Sequence, residues 1–218
     1  MIMSSRELIL ERLKSAPWAE HTPSRNIISP KSSAAKGQIQ TFVEKATAAG
    51  AQVEEVNNLA EVQTRIAQIV AEEKIEKIIV ADEEITRQID WQELQQQSGC
   101  LVQFSSELEG DAYRSFVLAA HLGITGCKYA LAETGTVILE HSHANERLVS
   151  HAPNYYMCIV RKEQILRDRL VLAAVLETDQ PKPAVWTLVT GVSRTADVAM
   201  QVVLGMHGPR QVTIFLID

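Results

Sequence analysis

Cysteine is scarce in this 218-residue chain, and the three present, Cys100, Cys127 and Cys158, are widely separated and odd in number. A disulfide framework is excluded, and no C-x-x-C pair or spaced set offers ligands for zinc or an iron-sulfur cluster. Each cysteine has apolar neighbours and reads as a small buried hydrophobe, with a reactive thiol as the lesser alternative. A surplus of positive charge is also missing: 21 Lys and Arg stand against 27 Asp and Glu, a formal charge of -6. That balance leaves no electrostatic footprint for nucleic acid or an anionic membrane. No apolar run approaches the ~20 residues that cross a bilayer. The N-terminal stretch MIMSSRELILERLKSAPW threads Arg6, Glu7, Glu11, Arg12 and Lys14 through its apolar residues, unlike a signal peptide, so a cytoplasmic location is expected. There is no G-x-G-x-x-G after a strand, no G-x-x-x-x-G-K-[ST] and no G-x-S-x-G. Nicotinamide binding of the usual type, P-loop nucleotide hydrolysis and self-contained electron transfer lose support.

What is present fits one sizeable α/β domain behind an N-terminal arm; 46% of the residues are hydrophobic, enough for a packed core. Residues 4–15 read as a short helix capped by Ser4 or Ser5. The following APWAEHTPSRNIISPKSS has three prolines and no period, so it reads as an extended arm anchored by Trp18, which wraps its own domain or reaches a partner. Residues 1–33 form this segment and 34–218 the domain. From residue 34 an alternation begins. Ile39, Phe42, Val43 and Ala46 mark a helix ended by Gly50, AQVEEV a strand, Leu59, Val62, Ile66, Ile69 and Val70 a helix, and KIIVA a buried strand. A polar helix near 83–97 and the strand CLVQF follow. The alternation predicts a mostly parallel sheet covered by helices, with ligand loops at the carboxyl ends of its strands. Beyond a helix at 108–121, the chain predicts the strands YYMCIVR, WTLVT and QVTIFLI and helices near 163–176 and 195–204.

Three turns in this second half carry polar residues that packing does not require. In YALAETGTVILEH, Gly135 between Thr134 and Thr136 allows a backbone bend around which hydroxyls and amides can face an anion, with Glu133 as clamp, general base or nucleophile at its rim. The alternative is a hairpin turn with a solvated glutamate. In TGVSRTADV, Gly191, Ser193, Arg194 and Thr195 follow a strand and open a predicted helix, an arrangement for an anion at a helix N-terminus. Ordinary capping beside a solvated arginine is the alternative. In GMHGPRQ, His207 can transfer a proton or hold a carboxylate and Arg210 can pair with one, against plain turn chemistry. His141 and His143 in HSHANERLVSH lack a third ligand at a recognised spacing, and Arg147 reads as a surface arginine before it reads as an anion partner.

Taken together and in order, GITGCKYALAETGTVILE, RLVSHAP, TGVSRTADV and GMHGPRQVTIFLID closely resemble the signature of the LUD (lactate-utilisation) domain family, in its lactate-utilisation protein C branch of short members. The resemblance implies a three-layer α/β/α domain similar to the ribose-phosphate isomerase, glucosamine-phosphate isomerase and CoA-transferase group. It also implies a part in oxidising L-lactate to pyruvate beside partner subunits that carry the iron-sulfur clusters, with no cofactor in this chain. Two positions depart from the family pattern. Lys128 stands where an acid is usual after GITG, reversing a charge near the expected pocket. Val192 replaces the proline usual in T-G-P-S-R-T, loosening a preset turn while keeping Ser193, Arg194 and Thr195.

Two functions follow as expectations. The first is an accessory subunit that binds a small anionic metabolite, works with iron-sulfur lactate-oxidation subunits and is compatible with a homo-oligomer. The second is a stand-alone enzyme acting on a small acid, a CoA thioester or a sugar phosphate. In it Glu133 is nucleophile or base, His207 assists proton transfer, and Thr134, Gly135, Thr136, Gly191, Ser193, Arg194, Thr195 and Arg210 hold the anion. Both place the Glu133 bend and the Arg194 segment across one shared cavity.

Overall fold

Short, nearly continuous apolar runs such as Lys77–Val80 and Tyr155–Arg161 suit strands covered on both faces, and that is how the chain folds. The structure is a computed structural model that describes residues 5–15, 36–142, 144–178, 181–196 and 202–218. The arm expected after residue 15, with Trp18, and His143 lie outside the described residues. In chain order the elements are α1 (Ser5–Ser15), α2 (Lys36–Ala48), β1 (Gln52–Glu55), α3 (Leu59–Glu72), β2 (Lys77–Val80), α4 (Trp91–Ser98) and β3 (Leu101–Phe104). Then come α5 (Gly110–Ala119), β4 (Leu122–Thr125), β5 (Tyr129–Leu131), β6 (Thr136–His141), α6 (Leu148–His151) and β7 (Tyr155–Arg161). The chain closes with β8 (Ile165–Leu166), α7 (Arg169–Thr178), β9 (Val185–Val189), β10 (Arg194–Ala196), β11 (Val202–Leu204) and β12 (Gln211–Ile217).

Six strands form a parallel sheet in the order β1-β12-β7-β4-β2-β3. Alternate residues face opposite layers. Ile78 and Val80 of β2, with Met157 and Ile159 of β7, meet Val62 and Ile66 of α3 and Trp91 and Leu94 of α4. On the other face Tyr156, Cys158 and Val160 of β7 meet Phe42 and Ala46 of α2 and Val137 and Leu139 of β6, while Ile79 meets Tyr113 and Val117 of α5. Burying each large side chain of this kind contributes about 1.5–3 kcal/mol, which sets the layers. The architecture is therefore the expected three-layer α/β/α arrangement around a mostly parallel sheet. One outer layer also holds a smaller sheet, β8-β5-β6-β9, whose far side is covered by Val171, Leu172 and Val175 of α7.

Three expected helices differ. The polar helix near 83–97 is a 3-10 turn at Thr86–Gln88 followed by α4, because Asp90 accepts the Glu93 N–H at 3.0 Å and starts a new helix. The helix near 163–176 begins later, after a 3-10 turn and β8. In the segment expected as a helix near 195–204, the described residues form two short antiparallel strands, β10 with β11, in register Thr195 to Val203; the β-branched Thr195 and Val203 suit the pleat. Arg194 thus begins a strand instead of a helix, and Asp197 lies outside the described residues.

Candidate functional site

Neighbouring strands β2 and β4 send the chain opposite ways: β2 leads to β3 on one side, β4 to β7 on the other. Such a reversal opens a crevice beyond the carboxyl ends of the strands, where open α/β sheets hold their ligands. A cavity of about 640 Å³ lies there, lined by the segments after β2 (Asp82, Glu83), β3 (Ser106) and β4 (Lys128), with Arg161 at the end of β7. His141 and Ser142, at the end of β6, form another wall. Two further hollows, of about 220 and 300 Å³, are smaller.

Glu83 is strongly altered by this setting. Its Oε2 accepts the Gly126 N–H at 2.6 Å, an approach that only glycine permits, since a Cβ at position 126 would meet that same oxygen at 2.6 Å. Thr86 fixes the loop from below: its hydroxyl donates to the Ala81 carbonyl at 2.6 Å and accepts the Glu83 N–H at 3.2 Å. Burial pushes the Glu83 carboxyl up to about 7; the Gly126 hydrogen bond opposes this, and the charges of Glu146, Asp82 and Glu140 add to the rise. It is a carboxyl poised to gain or lose a proton near neutrality.

The other charges divide into paired and unpaired groups. Asp82 is held by the Arg87 guanidinium, at 2.7 Å from Nη2, and by the Ser106 hydroxyl, so its carboxyl titrates below its ordinary range. Arg87 also lies 5.3 Å above the Phe104 ring. Lys128 reaches Glu140 at 3.2 Å. Glu146 accepts the Ser142 N–H at 2.7 Å. Arg161 makes no ion pair among the described residues; its backbone N–H donates to Gln164 Oε1 at 2.7 Å. His141 is buried and its Nε2 lies 3.1 Å from the Thr187 hydroxyl; burial lowers its pKa and keeps the ring neutral. Beneath Gly126, the Cys158 thiol donates to the Gly126 carbonyl at 3.3 Å, and Tyr156 and Thr125 share a 2.7 Å hydroxyl contact. The neighbouring Cys158 thiol and burial push the Cys127 thiol well up, which disfavours the thiolate, and its Sγ donates to Gln164 Oε1 at 3.5 Å. Among the described residues no group of three or more His, Cys, Asp or Glu is placed to hold a metal ion, and no helix is long and apolar enough to cross a membrane.

The residues singled out by sequence lie elsewhere, and several of them meet. YALAETGTVILEH is a hairpin in which Leu131 pairs with Thr136, and Gly135 has φ +66°. The Thr136 hydroxyl contacts those of Thr134 at 2.6 Å and Thr190 at 2.7 Å, which brings the first turn beside the second. Both turns press on the end of α2: a Cβ on Gly135 would meet the Ala46 nitrogen at 2.1 Å, and one on Gly191 the Ala49 carbonyl oxygen at 2.0 Å. The Arg194 guanidinium covers Gly50, and Thr195 lies in the ribbon. The third turn joins the second, with Ser193 N–H donating to the Pro209 carbonyl at 2.9 Å and His207 N–H reaching Ser193 Oγ at 3.4 Å. His207 is exposed, and the Arg210 side chain folds over Gly205. Glu133 turns the other way, to α7, where its Oε2 accepts the Arg169 N–H at 3.3 Å. None of these residues lines the 640 Å³ cavity. Val192, the departure from T-G-P-S-R-T, packs against the α2 core.

Glu83 and Arg161, the two cavity groups with the most chemistry, went unmarked by sequence reasoning. Glu83 falls at the start of the segment read as a polar helix near 83–97, and Arg161 is the last residue of the strand YYMCIVR. The available signal was their position, directly after or at the end of an apolar parallel strand.

The LUD domain matches residues 39–217, and the chain belongs to the LUD domain family. Within that family its similarity falls in the lactate utilization protein C branch. It is 34% identical over 97 residues to Lactate utilization protein C of Deinococcus radiodurans, covering 43% of this chain and 45% of that one. It is 40% identical over 108 residues to Lactate utilization protein C 1 of Bacillus mycoides, covering 47% and 46%. With the Anoxybacillus flavithermus Lactate utilization protein C it shares 29% identity over 160 residues, 73% and 71% of the two chains. The matched stretch thus spans about half the length of the Deinococcus and Bacillus relatives. The crystal structure of a DUF162 family protein from Deinococcus radiodurans shares the fold, with a TM-score of 0.58 at 22% identity, covering 84% of this chain and 97% of that chain.

Proposed function

We infer that this chain serves lactate utilization as an accessory subunit that holds a small anionic metabolite, beside partner subunits carrying iron-sulfur clusters. The similarity to lactate utilization protein C chains supports the setting. The observation that carries the ligand reading is the cavity at the reversal point of the parallel sheet, which combines a guanidinium with no ion pair among the described residues, hydroxyls and a carboxyl that titrates near neutrality. Reconstitution with candidate iron-sulfur partners tests it. L-lactate oxidation should depend on this chain and should fall when Arg161 is replaced by Gln; oxidation at full rate without the chain would overturn the reading.

A second reading puts chemistry at the joined glycine turns, as an enzyme on a small acid, CoA thioester or sugar phosphate. The 2.7 Å contact of Thr136 with Thr190 favours it, because it places Thr134, Gly135, Thr136, Gly191, Ser193 and Arg194 in one neighbourhood. Glu133 would be the nucleophile or base, with His207 and Arg210 from the adjoining turn. Unchanged turnover in Glu133→Gln would remove it.

A further inference from the structure

Two of the three cysteines meet behind the cavity wall. Thr125 of β4 is in register with Cys158 of β7, and Cys127 follows two residues after Thr125. Cys158 is fully buried in the core layer shared with α2 and β6, and Cys127 packs against that same layer from the cavity side. The approach is close. Cys158 Sγ lies 3.3 Å from the Gly126 carbonyl oxygen, which belongs to the peptide bond that Cys127 completes. In a trans peptide this oxygen is about 3 Å from the next Cα, so Cys158 Sγ is at most about 6 Å from the Cys127 Cα, a gap that side-chain rotation closes to a disulfide. Cys158 is also the largest influence on the Cys127 thiol, ahead of burial. Cys100 stands apart, in the opposite core layer, where the Ser98 hydroxyl donates to its sulfur at 3.0 Å.

We propose that Cys127 and Cys158 form a reversible disulfide when a peroxide enters the cavity, which makes the cavity wall a site of redox modification. Cys127 is half-buried and lines the cavity, whereas Cys158 has no exposed surface, so the oxidant meets Cys127 first and Cys158 is the resolving thiol. In the first step the Cys127 thiol and hydrogen peroxide give a sulfenic acid and one water. In the second, the Cys158 sulfur attacks the sulfenic sulfur, the S–S bond forms and a second water leaves. The two thiols together lose two electrons and two protons, and the peroxide is reduced to two waters. The proposal goes beyond the functional reading above and does not depend on it.

The setting fixes the character of the site. A disfavoured thiolate makes the first step slow. The same burial disfavours the thiolate that must leave when the bond is reduced, so the disulfide resists small monothiols once formed. Sustained exposure is recorded and brief exposure is not. Bond formation takes Cys127 Sγ from Gln164 Oε1, which also accepts the Arg161 N–H, and ties to β7 the loop whose Gly126 N–H holds Glu83.

The test exposes the folded full chain to hydrogen peroxide, alkylates the remaining thiols in denaturant, and reads intact mass and a peptide map. The parent should lose two of its three thiols together, with Cys127 linked to Cys158 and Cys100 alkylated, and dithiothreitol should restore all three. Cys127→Ser should keep both of its thiols at peroxide levels that convert the parent. Cys158→Ala should accumulate a Cys127 sulfenic acid that dimedone captures, an adduct scarce in the parent. Thermal melts confirm that the variants fold, and the parent's peptide map decides the matter without them. A link formed only in the urea-unfolded chain, a link through Cys100, Cys127 oxidised to sulfinic acid with Cys158 still free, or no loss of thiols from the folded parent would each overturn the proposal.

Discussion

The Gly126 N–H and the Glu83 carboxylate meet at 2.6 Å across 43 residues of sequence, joining the loops that follow two adjacent parallel strands. A lone backbone hydrogen bond does not offset the burial of this carboxyl, so the folded chain holds a proton that the unfolded chain has released.

That difference makes stability depend on pH. Glu83 titrates at about 7 when folded, against an ordinary 4.5. Between these values the folded state binds more protons than the unfolded state, so its contribution falls as pH rises through the window and stays low above it. The expected loss is about 2–3 kcal/mol. In urea unfolding at pH 5 and pH 8, Glu83→Gln should lack this component and should be the more stable protein at pH 8. Parallel pH curves for the two proteins would refute it.

Glu133 gives a structural prediction. Its carboxylate accepts the Arg169 N–H at the start of α7, and the Arg169 guanidinium lies 3.8 Å away. Capping of this kind is worth about 0.5–1 kcal/mol. Glu133→Ala should lower the urea midpoint by that amount, and Glu133→Asp, one carbon shorter, should recover only part of it. A variant as stable as the parent would show that the carboxylate does not cap the helix.

Much of the sheet was legible because its strands are buried on both faces and stand out as apolar runs: QVTIFLI is β12 residue for residue, and YYMCIVR is β7. The ribbon at Arg194 was less legible, since the valines of VAMQVVL satisfy a helical period as well as a pleat. The cavity was hidden for another reason. Its groups come from five strand ends, and besides burial the Glu83 carboxyl is set by the Gly126 hydrogen bond and the charges of Glu146 and Glu140, none near it in sequence. The glycine turns were conspicuous because steric demand is local: Gly135 and Gly191, both at positive φ, declare a backbone need whatever lies beside them.

Lys128 tunes the cavity through Glu140, which it meets at 3.2 Å. The Glu140 charge already helps raise the Glu83 carboxyl. Lys128→Met leaves that charge uncompensated and should move the Glu83 midpoint up by about half a pH unit, the scale of a partly exposed ion pair. Carbon-detected NMR titration of the Glu83 carboxyl reads this directly. A downward shift would mean that Lys128 acts on Glu83 by another route.

Gly135 and Gly191 both lean on the last turn of α2, at φ +66° and +65°. A Cβ on the first would lie 2.1 Å from the Ala46 nitrogen, and on the second 2.0 Å from the Ala49 carbonyl oxygen. These are backbone atoms and cannot swing aside as a side-chain tip would. Gly135→Ala and Gly191→Ala should therefore each cost about 3 kcal/mol or more, the sum of a disfavoured φ and a displaced helix end. Gly99 provides the control: it has φ +72° but nothing within 4 Å of the place a methyl carbon would take, so Gly99→Ala should cost only about 1–2 kcal/mol. One shift of α2 relieves both clashes, so the double variant should lose less than the sum of the two single losses. Strict additivity in urea unfolding would mean that the two turns press on α2 independently.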